Sequence, residues 1–193
     1  MFTIHNTFFT SDHHFGHKNI IRYSSRPFAS VEAMDAAMIE RWNAVIGPQD
    51  HVFHLGDVSL HGPERTAELL SRLNGHIYLL QGNHDKSATD RQCRGRFEWT
   101  RDLFDLRLHD EDEDRRQYIV LCHYAMRVWN RSFHGAWHLY GHSHGTLGDD
   151  PCSLSFDIGV DCHDFRPLSY AEVKAIMARK QPRRDGPEAG AEV

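Results

Sequence analysis

Five times along the chain a short apolar run stops abruptly at Asp, Asn or His. FFTS is followed by Asp12-His13-His14, HVFHL by Gly56-Asp57, and IYLLQ by Gly82-Asn83-His84-Asp85. YIVLC is followed by His123, and WHLY by Gly141-His142-Ser143-His144. Short apolar runs bounded by turn residues are strand signals. They predict strands over Thr3–Thr10, His51–Leu55, His76–Gln81, Gln117–Cys122 and Trp137–Tyr140, with two more over Leu103–His109 and Leu154–Ile158. Helical patterns lie between them. Ser30–Ile46 has Ser30 as N-cap and Gly47-Pro48 as its stop, Pro63–Leu73 has Pro in its first turn, and Ser169–Arg179 closes the fold. Strands alternating with helices predict an α/β layered domain. In such sheets ligands gather outside the carboxyl ends of the strands, so five polar strand ends converge on one edge. Gly56, Gly82 and Gly141 permit the sharp exits.

With 193 residues, 40% of them apolar, the chain can bury one sizeable core. Residues 1–179 are read as one domain, and the Pro-, Gly- and charge-rich 180–193 as a disordered tail. Twenty-two basic against 27 acidic side chains leave a net charge of −5, which excludes a protein that coats nucleic acid through a basic surface. It leaves room for a phosphate-bearing substrate held by metal ions. No apolar run approaches the ~18 residues of a membrane span. The N-terminus lacks signal-peptide features, so the expected location is cytoplasmic, away from membranes. Cys93, Cys122, Cys152 and Cys162 are scattered and read as free thiols. The Asp110–Asp114 run before Arg115-Arg116 reads as a solvated hairpin tip. Trp129, Phe133 and Trp137 read as core, or as an aromatic wall beside a site.

Sixteen histidines are the compositional anomaly. Imidazole is the commonest metal ligand and the usual proton carrier near neutrality. Asp12, His14, Asp57, Asn83, His123, His142 and His144 supply oxygen and imidazole donors without a thiolate. That set suits Mn first, then Fe or Zn, and is unlike a closed structural zinc site. Seven donors are too many for one ion that keeps a water. They suit two divalent ions sharing a carboxylate, about 3.5–4 Å apart, the recurrent device for attack on phosphorus.

The order Asp-x-His, Gly-Asp, Gly-Asn-His-Asp, a lone His and Gly-His-x-His resembles the calcineurin-like metallophosphoesterase superfamily over most of the chain. The resemblance implies an α/β sandwich of two mixed β-sheets flanked by helices. It implies Asp12, His14, Asp57 and His144 on one metal, and Asp57, Asn83, His123 and His142 on the other, with Asp57 bridging. It implies a bridging hydroxide as nucleophile, His84 as general acid, and Asp85 orienting His84. The family often carries Arg three residues after the bridging Asp; here that position is Leu60. Arg22, Arg26, Arg127 and His17 are the candidate substrate-binding residues that could serve instead.

The resulting expectation is hydrolysis of phosphodiesters, with phosphomonoesters second. The substrate is a small phosphoester such as a nucleotide or a nucleic-acid end. The alternatives are a non-catalytic metal-binding scaffold and a dinucleoside polyphosphate pyrophosphatase. No feature marks a protein partner or demands an oligomer.

Overall fold

Strand β2 (His51–His54) is apolar on both faces, which requires cover on both. The structure, a computed structural model describing residues 2–182, supplies it from two directions. On one side β2 runs parallel to β1 (Thr7–Thr10), on the other to β3 (His76–Leu80), and β3 runs parallel to β4 (Phe97–Arg101). A two-residue strand, β9 (Leu168–Ser169), closes the sheet antiparallel to β1, giving the order β4-β3-β2-β1-β9. The second sheet has the order β5-β6-β7-β8, with β5 (Leu103–Asp110) antiparallel to β6 (Arg115–Cys122). Strands β7 (Trp137–Tyr140) and β8 (Ser155–Asp157) follow in parallel. The expected α/β fold of two mixed sheets flanked by helices is the observed one.

Strand alternation assigns the layers. Phe53, Tyr78 and Leu80 face the second sheet and pack on Leu106, Ile119, Leu121, Trp137 and Leu139. Val52, Ile77 and Leu79 face the other way, onto Met34, Met38 and Trp42 of α2 (Val31–Val45) and Leu69 and Leu70 of α3 (Pro63–Leu70). The short α1 (Ile20–Tyr23) adds Ile20 to that layer. Helix α4 (Tyr170–Met177) sinks Tyr170, Val173 and Met177 into the inter-sheet core.

The caps follow from sequence chemistry. Ser30 Oγ accepts from Ala33 N–H, and Ser169 with Glu172 forms a complete capping box on α4. Among the described residues, no helix is long and apolar enough to cross a membrane.

Four sequence expectations need correction. β1 starts at Thr7, not Thr3, because Asn6 Oδ1 accepts from both Thr3 N–H and Thr3 Oγ1 and turns the chain. Strands β4 and β9 lack the apolar run that marks a strand; β4 buries only Phe97 and β9 has two residues. Asp110 is not solvated: it is fully buried and accepts from Tyr170 Oη at 2.7 Å and pairs with Lys174 Nζ at 2.8 Å. The chain is anchored past residue 179, since Lys180 Nζ binds Asp149 Oδ1 and Gln181 N–H binds Pro151 O. The rest of the expected tail, from 183 on, lies outside the described residues. All four cysteines are free thiols.

Candidate functional site

Side chains from both sheets meet at the strand ends. Asp12, His14 and His144 present donor atoms within 4.8 Å of one another, and so do Asp57, His123 and His142. Asp57 lies between the two groups: its Oδ2 is 3.4 Å from His14 Nε2 and 3.6 Å from His123 Nε2. The groups are tied again through Asp12, whose carboxylate accepts from His142 N–H at 2.9 Å. Asn83 is exposed beside them, between Gly82 and His84. His84 N–H donates to Asp57 Oδ1 at 2.8 Å, and the His84 ring stands 5.5 Å from that of His14. Six of the seven expected donors therefore fall in two convergent groups at strand ends of both sheets, rather than at the edge of one, and Asn83 adjoins them in sequence.

The backbone is bent to achieve this. Asp12, His14, Asp57, His142 and His144 all have positive φ, between 47° and 69°. L residues rarely adopt that region, and its cost concentrates where side-chain direction matters. Gly56 has φ +97°, as a sharp exit requires. Gly82 and Gly141 serve differently: their φ is ordinary, and they are glycine because a Cβ would overlap Asp57 Oδ1 at one and Ser11 Oγ and Asp12 Oδ2 at the other.

The electrostatics suit cations. Burial pushes Asp12 up to about 8, so its carboxylate sits in a site with too little positive charge to hold it ionised. Burial brings His14 down to about 4 and also lowers His123, which keeps both imidazoles neutral at neutral pH. His123 Nδ1 donates to Leu55 O at 2.6 Å, leaving Nε2 buried with no hydrogen-bond partner. His14 Nε2 is also buried and unpartnered. His144 Nδ1 binds Asp161 Oδ2 at 2.7 Å, which leaves its Nε2 free and outweighs burial to raise its pKa. At Asp57 burial works upward, but His14, His123 and the His84 N–H together bring it down to about 2. Neutral imidazoles at His14 and His123 with unpartnered Nε2 atoms, and a buried Asp12 carboxylate short of counter-charge, suit a divalent cation. The residues present fit two such ions.

Two expected roles are corrected. Asp85 does not orient His84. Its Oδ2 accepts from Asp57 N–H at 2.9 Å and Gly82 N–H at 2.8 Å, and its Oδ1 from Val58 N–H at 2.7 Å. It clamps the turn that carries Asp57. Arg26 does not face a substrate. Its side chain is fully buried, paired with Asp161 at 2.8 Å, and donates to Asp12 O and His13 O. It holds the first motif from behind.

His17 is half-buried with its ring 5.4 Å from that of His14. Arg22 is exposed over Tyr23, and Arg127 is exposed in a cavity lined by none of the candidate ligands. Leu60, in the place of the family's Arg, is 39% exposed. Trp137 is core, stacked on Tyr170; Trp129 packs over His138, and Phe133 is exposed, so the three form no wall at the site.

Four further residues surround the groups, of which sequence reading passed over Asp161 and Tyr124. Asp161 lies 17 residues beyond His144, with no local signal to join them. His13 and His54, both buried, share a 2.9 Å contact behind the site, and Gly56 N–H donates to His54 Nδ1. Tyr124, 45% exposed, stands edge-on to His142 at 5.0 Å.

No family model matches the chain. The uncharacterized protein MJ1445 of Methanocaldococcus jannaschii is 31% identical over 176 residues, which is 88% of this chain and 89% of that protein. The chain belongs to the family of MJ1445. Beyond MJ1445, the Gene 66 proteins of mycobacterium phages L5 and D29 are 36% and 34% identical over 83 and 84 residues. Those matches span 42% of this chain and 40% and 41% of theirs. Among solved structures, the protein of unknown function AQ665 from Aquifex aeolicus superposes with a TM-score of 0.66 at 23% identity. That match covers 88% of this chain and 98% of AQ665, a likeness of fold.

Proposed function

We propose that the protein is a phosphoesterase of the calcineurin-like metallophosphoesterase type that uses two divalent ions, Mn first, to hydrolyse phosphodiesters. One observation carries the reading. Asp57 Oδ2 stands 3.4 Å from His14 Nε2 and 3.6 Å from His123 Nε2, so one carboxylate is shared by two donor groups. A carboxylate in reach of donors from both groups is where a bridging ligand between two ions would stand. When bound, a pair of divalent ions lowers the pKa of a water and offsets the charge gathering on phosphate oxygens.

The protein's own residues do the rest. Asp12, His14, Asp57 and His144 would hold one ion, and Asp57, Asn83, His123 and His142 the other. Asp161 fixes the His144 ring and Leu55 O the His123 ring, so each imidazole would offer Nε2 to an ion. His84, exposed beside the first group, is placed to protonate the leaving oxygen. Asp85 and Arg26 keep the two ligand-bearing turns in register.

The test pairs bis-p-nitrophenyl phosphate with p-nitrophenyl phosphate in Mn²⁺ and includes Asp57→Asn. Diester turnover should exceed monoester turnover, and both should vanish in Asp57→Asn. Bound Mn²⁺ should fall from two per chain in the same variant. Two bound ions with no Asp57-dependent turnover would replace an enzyme with a metal-binding scaffold.

A further inference from the structure

Four of the exposed large apolar side chains border the candidate site, apart from Leu103, Val128 and Phe133. Tyr23 (64% exposed), Leu60, Tyr124 and Leu147 (58%) all lie on segments that leave the ligand-bearing strand ends. Two of them flank the candidate metal groups from opposite sides. Tyr124 stands 4.9 Å from the His123 ring and 5.0 Å from that of His142, against the second group. On the side of the first group, His14 leads to His17 at 5.4 Å and His17 to Tyr23 at 6.2 Å. Past Tyr23 the surface turns cationic. Lys18 and Arg22 line an open cavity of about 490 Å³, with Asn19, Ser30 and Glu32 completing its polar wall.

We infer that this rim binds a short single-stranded oligonucleotide across the site. One base stacks on Tyr124 and another on the face of Tyr23 that Arg22 does not cover, and a further phosphate lies by Lys18 and Arg22. Tyr124 and Tyr23 leave ring surface open beside the candidate metal groups, where a planar group can lie against it. Base stacking on aromatic side chains is how single strands are held without reading sequence, and a few cations follow the backbone. The net charge of −5 argues against a long tract. This inference rests on the proposed phosphoesterase site for the central phosphate only; the stacking faces are independent of catalysis.

The test is fluorescence anisotropy in Mn²⁺ with a labelled phosphorothioate hexathymidylate and an abasic hexamer of the same backbone. The whole chain is used, and bis-p-nitrophenyl phosphate hydrolysis is measured in parallel. The wild type should prefer the thymidylate by about tenfold or more, the scale of one stacked base. Tyr124→Ala should remove most of that preference and Tyr124→Phe should keep it; Tyr23→Ala should lower it separately. Circular dichroism verifies that each variant is folded. Equal affinity for both probes, absence of binding to either, or a preference unmoved in both alanine variants overturns the inference. Base-dependent binding without hydrolysis of the aryl diester would leave the rim assignment standing and overturn the phosphoesterase reading. Hydrolysis with base-independent binding would do the reverse.

Discussion

Replacing Asp85 by Asn separates two roles that the sequence alone would confuse. The carboxylate accepts from three buried N–H groups, those of Asp57, Val58 and Gly82. An amide has a single acceptor oxygen, so at least one N–H loses its partner and meets an NH₂ group. A buried donor left unsatisfied costs about 1–3 kcal/mol. For a chain of this size each kcal/mol is worth about 2–4 °C in Tm. Asp85→Asn should therefore melt about 2–12 °C lower in EDTA, followed by circular dichroism. Mn²⁺ affinity should weaken as well, because the displaced turn carries Asp57. If Asp85 instead served His84, the variant would melt normally, bind Mn²⁺ normally and lose only turnover. An unchanged Tm with reduced kcat would refute the clamp.

Other outcomes follow from the same geometry. Arg26→Ala leaves Asp161 with His144 as its remaining partner and Asp12 O and His13 O without the guanidinium; breaking a buried pair costs up to about 3–5 kcal/mol, so chemical denaturation should show a loss of stability rather than a simple rise in KM. Gly141→Ala drives a methyl into Ser11 and the Asp12 carboxylate; overpacking of about 1–3 kcal/mol and loss of one bound Mn²⁺ are expected by thermal melting and metal analysis. At Glu172 burial works upward, but Arg166 and Ser169 hold the carboxyl at about 2. A depressed acid stabilises the fold above its unfolded pKa, near 4.5, and loses that contribution as pH falls toward 2. The side chain is 40% exposed, so the contribution is below about 1 kcal/mol, and the Tm gap between wild type and Glu172→Gln should close between pH 5 and pH 2. A gap that widened on acidification would contradict the assignment.

The donors were legible because each ends an apolar strand, and strand ends are where a layered α/β fold gathers polar side chains. The supporting contacts were not. Asp85 is adjacent to His84 in sequence, yet its side chain turns back under the Asp57 turn, a direction that spacing cannot reveal. Arg26 looks like a phosphate clamp by type and position, and becomes an internal strut only because Asp161 arrives 135 residues later. Strands β4 and β9 escaped for a related reason. Their pairing is dictated by neighbours, since neither has the apolar period that marks a buried strand. Tyr124 was hidden by His123, the stronger signal beside it.

The site straddles the seam between two sheets that are made one after the other. Asp12, Asp57 and Asn83 leave the ribosome with the first sheet, but His123, His142 and His144 come with the second. Asp12 and His142, joined by a hydrogen bond, are 130 residues apart. β1 stays an open edge until β9 arrives to pair with it. A chain that stops before the second sheet lacks His123, His142 and His144, half of the six clustered donors. On the proposed reading, capture of both cations would follow synthesis of nearly the whole fold, because a chain cut short of the second sheet would lack one ligand of the first ion and two of the second.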